Sequence, residues 1–306
     1  MVAAPPLPPW IAAQLPADYR QHRVEAAGER VHALSWGPED GRVVVLAHGN
    51  PTWSFLWRKV VRVLRARAPE LRLVAPDLVG LGLSTKPEVR AHTLENHAVW
   101  FGAALDRLIG EAPFVLAAQD WGAPIGLVAA ASRRARLRGI VLGNTAVSPP
   151  SPAFRPTLFH RLSQLPIASD VLFRTLGFPL GLLHLSQGDR RSIRGEVARA
   201  YRWPLRRAAD RAAPLALARM VPDSLAHPSI PCLEASHRVF AEAQVPIALV
   251  WGTRDPILGK VVNHLERVRP DAAVTRTRAG HFLQEEVPDE LAAAIADVAG
   301  RAVWSP

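Results

Sequence analysis

The stretch VLAAQDWGAPIGLVAAA, residues 115–131, is almost wholly apolar except for Gln119 and Asp120 in its middle. An aspartate has a reference pKa of about 3.9, and burying it ionised without a partner costs several kcal/mol. The polar pair also interrupts a run that otherwise has the length of a membrane span. A buried strand, a sharp turn and a helix fit the pattern better, and the carboxylate at the turn then needs a reason.

Short apolar runs alternate with longer amphipathic stretches on both sides of this segment. Helices are predicted from apolar spacing of three and four at 53–68 and 93–109. The predicted strands, including an amphipathic hairpin at one edge, are 22–28, 29–36, 43–49, 71–77, 114–119, 138–144, 246–253 and 272–278. Strands that alternate with helices predict an α/β protein with a doubly wound, mostly parallel sheet.

Residues 145–227 carry no strand signal and are arginine-rich helical stretches broken by prolines. The segment is too long for a loop and is predicted to be a helical insertion after the sixth strand. We therefore expect a core formed by 1–147 and 228–306, with a helical cap at 148–227. Such a cap would cover the carboxyl ends of the strands, where α/β proteins place their sites.

Composition limits the possible functions of the 306-residue chain. A hydrophobic content of 49% and a charged content of 21% are ordinary for a soluble globular protein. The formal charge of +10 comes from scattered arginines, which favours a solvated basic surface over a nucleic-acid or membrane partner. Cys232 is the only cysteine, so neither a disulfide nor a cysteine metal cluster is expected. The start does not resemble a signal peptide, which predicts a cytoplasmic protein.

Asp120 stands where a strand turns sharply into a helix, between the small residues Ala118 and Gly122. This is the pattern of a nucleophile elbow, with aspartate in place of the usual serine. An ionised carboxylate attacks without a base and forms an ester whose carbonyl belongs to the enzyme. That chemistry suits displacement at an sp3 carbon or the opening of an epoxide. The alternative is a polar residue at a helix start, which aspartate also favours.

Two further residues follow the last two predicted strands. Asp255 comes after PIALVWGT, and His281 comes after AAVTRTR with a glycine before it. The order Asp120, Asp255, His281 is the nucleophile–acid–base order of the α/β-hydrolase arrangement. His281 would activate a water molecule, and Asp255 would orient the imidazole. Alternatively, Asp255 is a turn residue before proline, and His281 a structural histidine.

The loop HGNPTW, residues 48–53, follows the strand after which this arrangement places an oxyanion-hole amide. The backbone N–H groups of Asn50 and Trp121 would then point to the oxygen that becomes charged. Their side chains also carry N–H donors, and two neutral donors beside a carboxylate nucleophile suit a departing halide. The alternatives are a loop turn for Asn50 and core packing for Trp121.

Five motifs, in order along the chain, closely resemble those of the haloalkane dehalogenases: HGNPTWSFLWR, PDLVGLGLSTKP, QDWGAPIG, WGTRDPILG and GHFLQEE. The similarity covers roughly residues 35–287 and is weakest in the cap. It implies an α/β-hydrolase fold with an eight-stranded, mostly parallel sheet. It also implies hydrolysis of small haloalkanes with water to alcohol, halide and a proton, without a cofactor or metal.

The resemblance assigns the nucleophile to Asp120, the base to His281 and halide binding to Asn50 and Trp121. Some members place the acid after the sixth strand, but this chain has Asn144 there, so Asp255 is the matching carboxylate. Others use a cap tryptophan as the second halide donor, whereas Asn50 makes this unnecessary and Trp203 is interpreted as packing. Five further motif residues are interpreted as structural: His48, Gly49, Asp77, Gly80 and Gly82.

Two other functions remain open at this point. Epoxide hydrolases share the fold, the nucleophile and the acid–base pair, but typically need two cap tyrosines to protonate the epoxide oxygen. The chain has only Tyr19 and Tyr201, and only Tyr201 lies in the expected cap. A luciferase-like, cofactor-independent oxygenase on the same scaffold is the third candidate. Self-association into a homo-oligomer is possible, but no spacing in the sequence indicates it.

Overall fold

The structure is a computed structural model that describes residues 4–151, 155 and 158–304, with only the backbone described at 158–160. The strands are β1 Arg20–Ala26, β2 Glu29–Trp36, β3 Arg42–Ala47, β4 Leu71–Pro76, β5 Phe114–Gln119, β6 Leu137–Gly143, β7 Ile247–Gly252 and β8 Ala273–Thr277. The helices are α1 Pro9–Ala12, α2 Arg58–Arg67, α3 Leu94–Ile109, α4 Gly122–Ala131, α5 Leu158–Gln164, α6 Ala168–Asp170, α7 Gly195–Arg202, α8 Ala212–Arg219, α9 Ile230–Glu242, α10 Val262–Val268 and α11 Pro288–Arg301.

The eight strands form one sheet in the order β1-β2-β4-β3-β5-β6-β7-β8. β2 pairs antiparallel with both β1 and β4, and the remaining neighbours pair in parallel. This confirms the predicted eight-stranded, mostly parallel α/β-hydrolase sheet, with the predicted hairpin as the β1–β2 edge. Parallel strands end at the same edge of a sheet, so the loops after β3, β5, β6, β7 and β8 are brought together there.

Helices cover both faces of the sheet because the central strands are apolar on both sides. In β3, Val43 and Val45 belong to the same buried cluster as side chains of α3, α4 and α9. Val44 and Leu46, which point to the opposite face, belong to the cluster that includes α2 and α11. The two clusters fix the sheet between two helical layers, and the strand ends are therefore held rigidly.

One predicted helix begins later than its apolar spacing suggests. Trp53 is extended, Ser54–Trp57 forms a single 3₁₀ turn, and only then does α2 begin. The backbone N–H of Ser54 donates to the Asp77 carboxylate over 2.7 Å, which holds the chain in this turn. The side chains of the turn are buried all the same, and this burial accounts for the helical spacing of the sequence.

Between β6 and β7, the described residues form α5 to α9 with connecting turns and contain no strand. Of these helices, α9 packs against α4 of the core, whereas α5 packs against α8. The division into a core and a cap at 148–227 is our proposal, and 152–154 and 156–157 lie outside the described residues. The term cap is used below for the described part of that segment.

Candidate active site

Asp120 lies at the turn between β5 and α4 with a left-handed backbone, at φ 51°. Such a conformation costs a non-glycine residue roughly 1–3 kcal/mol and needs support from its surroundings. Support comes from the Thr145 hydroxyl, which donates to the Asp120 carbonyl over 2.7 Å. A Cβ atom at Gly122 would lie less than 3.0 Å from the His48 carbonyl oxygen. A glycine is therefore needed there, because the helix start passes so close to the loop after β3.

The carboxylate of Asp120 is only 17% exposed, and both of its oxygens have partners. Oδ1 accepts the backbone N–H of Asn50 over 2.7 Å, and the N–H of Trp121 also bonds to this carboxylate. Oδ2 lies 3.7 Å from His281 Nε2. Burial raises the pKa of Asp120, while His281 and the two N–H groups favour the ionised form. The N–H pair and the imidazole therefore explain how the chain keeps a carboxylate within an apolar stretch.

His281 and Asp255 form a hydrogen-bonded pair after β8 and β7. His281 Nδ1 and Asp255 Oδ2 are 2.8 Å apart, and both side chains are buried. The other oxygen of Asp255 accepts the backbone N–H groups of Ile257 and Leu258 over 2.8 and 3.1 Å. These bonds fix the carboxylate so that the imidazole directs Nε2 toward Asp120.

The three charged groups shift one another's pKa values. Burial alone would lower the pKa of His281, but the carboxylates of Asp255 and Asp120 raise it to about 9. Burial works against ionisation of Asp255, but His281 and the hydrogen bonds to this carboxylate hold its pKa below the ordinary value. In the free protein, the site therefore contains a protonated imidazole between two carboxylates near neutral pH.

Two polar residues that the sequence gives no role also contact this group. The Gln119 amide nitrogen lies 3.2 Å from the His281 carbonyl oxygen and 3.3 Å from Nε2. Asn144, which follows β6, donates its amide to Asp255 Oδ2 over 2.8 Å. Gln119 and Asn144 each follow the apolar part of a strand, at the carboxyl edge of the sheet. This position is the one feature of the sequence that could have indicated a place for them in the site.

Asn50 and Trp121, the predicted halide donors, both line one cavity together with Asp120 and His281. The Asn50 amide donates one N–H to the carbonyl of Pro214 in α8 of the cap, over 3.1 Å. Among the described residues, neither its second N–H nor the indole N–H of Trp121 has a hydrogen-bond acceptor. Each side chain thus keeps an N–H group without a protein acceptor among the described residues, and both residues line the cavity beside Asp120.

The cavity has a volume of 580 Å³ and is mostly apolar. Its walls come from the carboxyl edge of the sheet and from the cap, which contributes Pro179, Leu182, Leu183, Ser186, Ala218 and Val221 among others. A volume of this size holds a small organic molecule, and apolar walls with a few convergent polar groups are typical of small-molecule sites. The only carboxylate in the described lining is that of Asp120.

The two cap aromatics considered from the sequence do not line this cavity. Tyr201 is fully buried and donates its hydroxyl to the carboxylate of Glu285, which also pairs with Arg58. Trp203 packs near Trp53, with ring centroids 6.5 Å apart. Both side chains therefore join the cap to the core and do not face the reacting groups.

The described residues contain neither a metal-binding cluster nor a membrane-spanning helix. No group of three or more His, Cys, Asp or Glu side chains among them is arranged to hold a metal ion. No helix within the described part of the chain is both long enough and apolar enough to cross a membrane.

Comparisons with known proteins give the relatives of this chain. A family model described as alpha/beta hydrolase matches residues 44–294. A haloalkane dehalogenase of Mycolicibacterium paratuberculosis is 33% identical over 267 residues, covering 86% of this chain and 85% of the relative. Haloalkane dehalogenase 2 of Mycobacterium tuberculosis is 34% identical over 269 residues, covering 87% and 90%.

Solved structures of haloalkane dehalogenases are also similar to this chain. The crystal structure of haloalkane dehalogenase DbeA from Bradyrhizobium elkani superposes with a TM-score of 0.82 at 26% identity, covering 92% of this chain and 98% of that one. A point mutant of haloalkane dehalogenase DatA from Agrobacterium tumefaciens gives a TM-score of 0.83 at 25% identity, covering 95% and 99%.

Proposed function

Because this chain belongs to the haloalkane dehalogenases within the alpha/beta hydrolase family, and is therefore an enzyme acting on carbon–halide bonds, we propose that it works through an ester on Asp120. The substrates are small haloalkanes and water, and the products are an alcohol, a halide ion and a proton. One observation carries the proposal: Asp120 Oδ1 is held by a backbone N–H, while Oδ2 faces His281. The carboxylate also lines the apolar cavity.

The first half is a displacement. Asp120 Oδ2 attacks the carbon that bears the halogen, a C–O bond forms, and the halide leaves with the electrons of the C–X bond. The side-chain N–H groups of Asn50 and Trp121 are neutral donors that stabilise the leaving anion. No proton moves in this half, so it does not require His281.

The second half is hydrolysis of the ester. His281 takes a proton from water, and the hydroxide oxygen attacks the carboxyl carbon of Asp120. Negative charge develops on Oδ1, which the Asn50 N–H already contacts over 2.7 Å. Collapse breaks the bond between the Asp120 carboxyl carbon and Oδ2, and the departing alkoxide takes the proton from His281 to become the alcohol. The carboxylic acid left on Asp120 loses the second proton of the water to solvent, which regenerates the carboxylate. Asp255 stabilises the imidazolium formed on the way.

The first half also prepares the base for the second. Alkylation removes the negative charge of Asp120, which is one of the groups that raise the pKa of His281. The imidazole therefore loses its proton more readily in the alkyl-enzyme than in the free enzyme, when it is needed as a base.

The epoxide alternative lacks its acid. The chain has two tyrosines, and neither lines the cavity. Tyr201 already donates its hydroxyl to Glu285. No tyrosine is thus placed to protonate an opening epoxide, and no observation favours an oxygenase.

The test is halide release by the purified protein from 1-chlorobutane, 1-bromobutane and 1-iodobutane, with styrene oxide as comparator. We expect halide and butanol in equal amounts, and no release by Asp120→Ala. Diol from the epoxide without halide release would contradict the proposal. A folded protein that is inactive on every compound would also contradict it and would favour the oxygenase candidate.

A further inference from the structure

The loop that carries His281 is bonded to one short cap segment, Ser186–Asp189. The backbone N–H of His281 itself donates to the Ser186 carbonyl over 2.9 Å. A Cβ atom at Gly280 would lie less than 3.0 Å from that same carbonyl oxygen. The two backbones therefore approach so closely that only glycine fits before the histidine.

Gln187 fastens the next residue of the loop. Its side-chain oxygen accepts the N–H of Phe282 over 2.9 Å, and its amide nitrogen donates to the Phe282 carbonyl over 3.1 Å. The side chain is buried, so water does not compete with these bonds. The Phe282 ring in turn lies 4.6 Å from the His281 ring, nearly perpendicular to it. A shift of Gln187 would therefore move the imidazole.

Glu286 fastens the other side of the loop. One carboxylate oxygen accepts the N–H of Gly280 over 2.9 Å and the N–H of Gly188 over 3.1 Å. The other oxygen accepts the N–H of Asp189 over 2.7 Å. One carboxylate thus joins the residue before the base to two residues of the cap. Bonds of N–H groups to an ionised acceptor are among the stronger hydrogen bonds in proteins.

We propose that Gln187 and Glu286 are positioning residues that let the cap hold the His281 imidazole in place for ester hydrolysis. The inference rests on the proposed function, because only the hydrolytic half uses His281 as a base. Ser186 and Leu183, just before Gln187, line the substrate cavity. The same stretch of the cap therefore contacts both the substrate cavity and the loop of the base.

The test compares the two half-reactions in Glu286→Gln and Gln187→Leu by rapid-mixing halide release and by intact mass. We expect displacement at the wild-type rate and hydrolysis slowed by about 10- to 100-fold, the effect of a misplacement of up to about 1 Å. Alkyl-enzyme should then accumulate during turnover. Glu290→Gln is the matched control, because Glu290 is exposed in the first turn of α11 and its carboxylate makes no hydrogen bond to the described cap.

Wild-type hydrolysis in both folded variants would overturn the inference, as would equal slowing of both half-reactions. If Glu286→Gln does not fold, Gln187→Leu alone decides the test. That variant replaces one neutral side chain by another and so does not alter the charge of the loop. His281→Phe separates this inference from the proposed function. If that variant traps no alkyl group, the ester mechanism fails. If it traps the group and the positioning variants hydrolyse normally, only the positioning role fails.

Discussion

At the residue scale, Asp120 combines a strained backbone, a largely buried charge and a reactive group. The sequence predicts its position because an apolar strand, a turn and small flanking residues precede and follow it. The same placement after strands predicts Asp255 and His281, which the structure brings together. The sequence does not predict the amide contacts of Gln119 and Asn144, because a neutral amide at a strand end matches no acid, base or nucleophile role.

Trp121→Phe tests the proposed halide donor, since it removes the indole N–H and keeps an apolar aromatic ring. A hydrogen bond to a charged group is worth about 1.5–3 kcal/mol, so displacement should slow by about 10- to 100-fold. Pre-steady-state halide release measures this step directly. The control is Trp203→Phe, which alters a side chain packed near Trp53 and should leave the rate of displacement unchanged. Equal rates for wild type and Trp121→Phe would exclude the indole as a donor.

The pKa of His281 predicts how hydrolysis depends on pH. In the free enzyme Asp255 and Asp120 raise this pKa to about 9 against the effect of burial, and the ester removes the Asp120 charge. Hydrolysis needs the neutral imidazole, so its rate should rise with pH to a plateau, with a midpoint below that of the free enzyme. Rapid-mixing decay of the alkyl-enzyme gives the midpoint, and NMR titration of His281 gives the free value. A pH-independent decay would rule out this base.

At the scale of the elements, the site depends on where strands end and helices begin. Apolar patterning predicts the central strands well, because both of their faces are buried. It is wrong at Ser54–Trp57, where buried side chains follow a helical spacing while the backbone is a 3₁₀ turn. The spacing of apolar residues within 53–68 carries no information about the Asp77 carboxylate. This carboxylate follows β4 and accepts the backbone N–H of Ser54 in the turn.

Two glycine-to-alanine changes in helices should have opposite effects. Gly122→Ala places a methyl group less than 3.0 Å from the His48 carbonyl oxygen and should cost roughly 1–3 kcal/mol of stability, with loss of activity. Gly300→Ala in α11 meets no atom within 4 Å and should stabilise the protein by roughly 0.5–1 kcal/mol. Urea unfolding measures both. A stable, fully active Gly122→Ala would show that the helix start tolerates displacement.

At the scale of the whole molecule, the parallel sheet gathers residues from five loops at one edge and the cap closes over them. The fold class follows from the sequence because strands and helices alternate regularly outside residues 145–227. The docking of the cap does not follow, since it depends on single bonds such as Asn50 to Pro214 and Tyr201 to Glu285. Such bonds carry no periodic signal.

A buried polar centre under the loop after β3 should govern stability in acid. Burial disfavours the charge of Asp77, but His32 at 2.8 Å, with His48 and the N–H of Leu83, lowers its pKa to about 2. Since the folded pKa lies below the ordinary 3.8, this stabilisation is complete above that value and is lost as the pH falls toward 2. It amounts to about 2 kcal/mol.

Urea unfolding of wild type and Asp77→Asn across this pH range measures the contribution. The variant should be less stable at neutral pH, and the difference should shrink as the pH falls from 3.8 toward 2. A difference that stays constant down to the lowest pH would mean that the charge of Asp77 is not what stabilises the fold.

The most direct test of the ester mechanism is the intact mass of His281→Phe after incubation with 1-bromobutane, followed by peptide mapping. The ester mechanism predicts one released bromide per protein, no further turnover, and a protein heavier by one butyl group located on Asp120. Unmodified protein, from a variant that is folded and offered a substrate that the wild type turns over, would contradict the covalent mechanism.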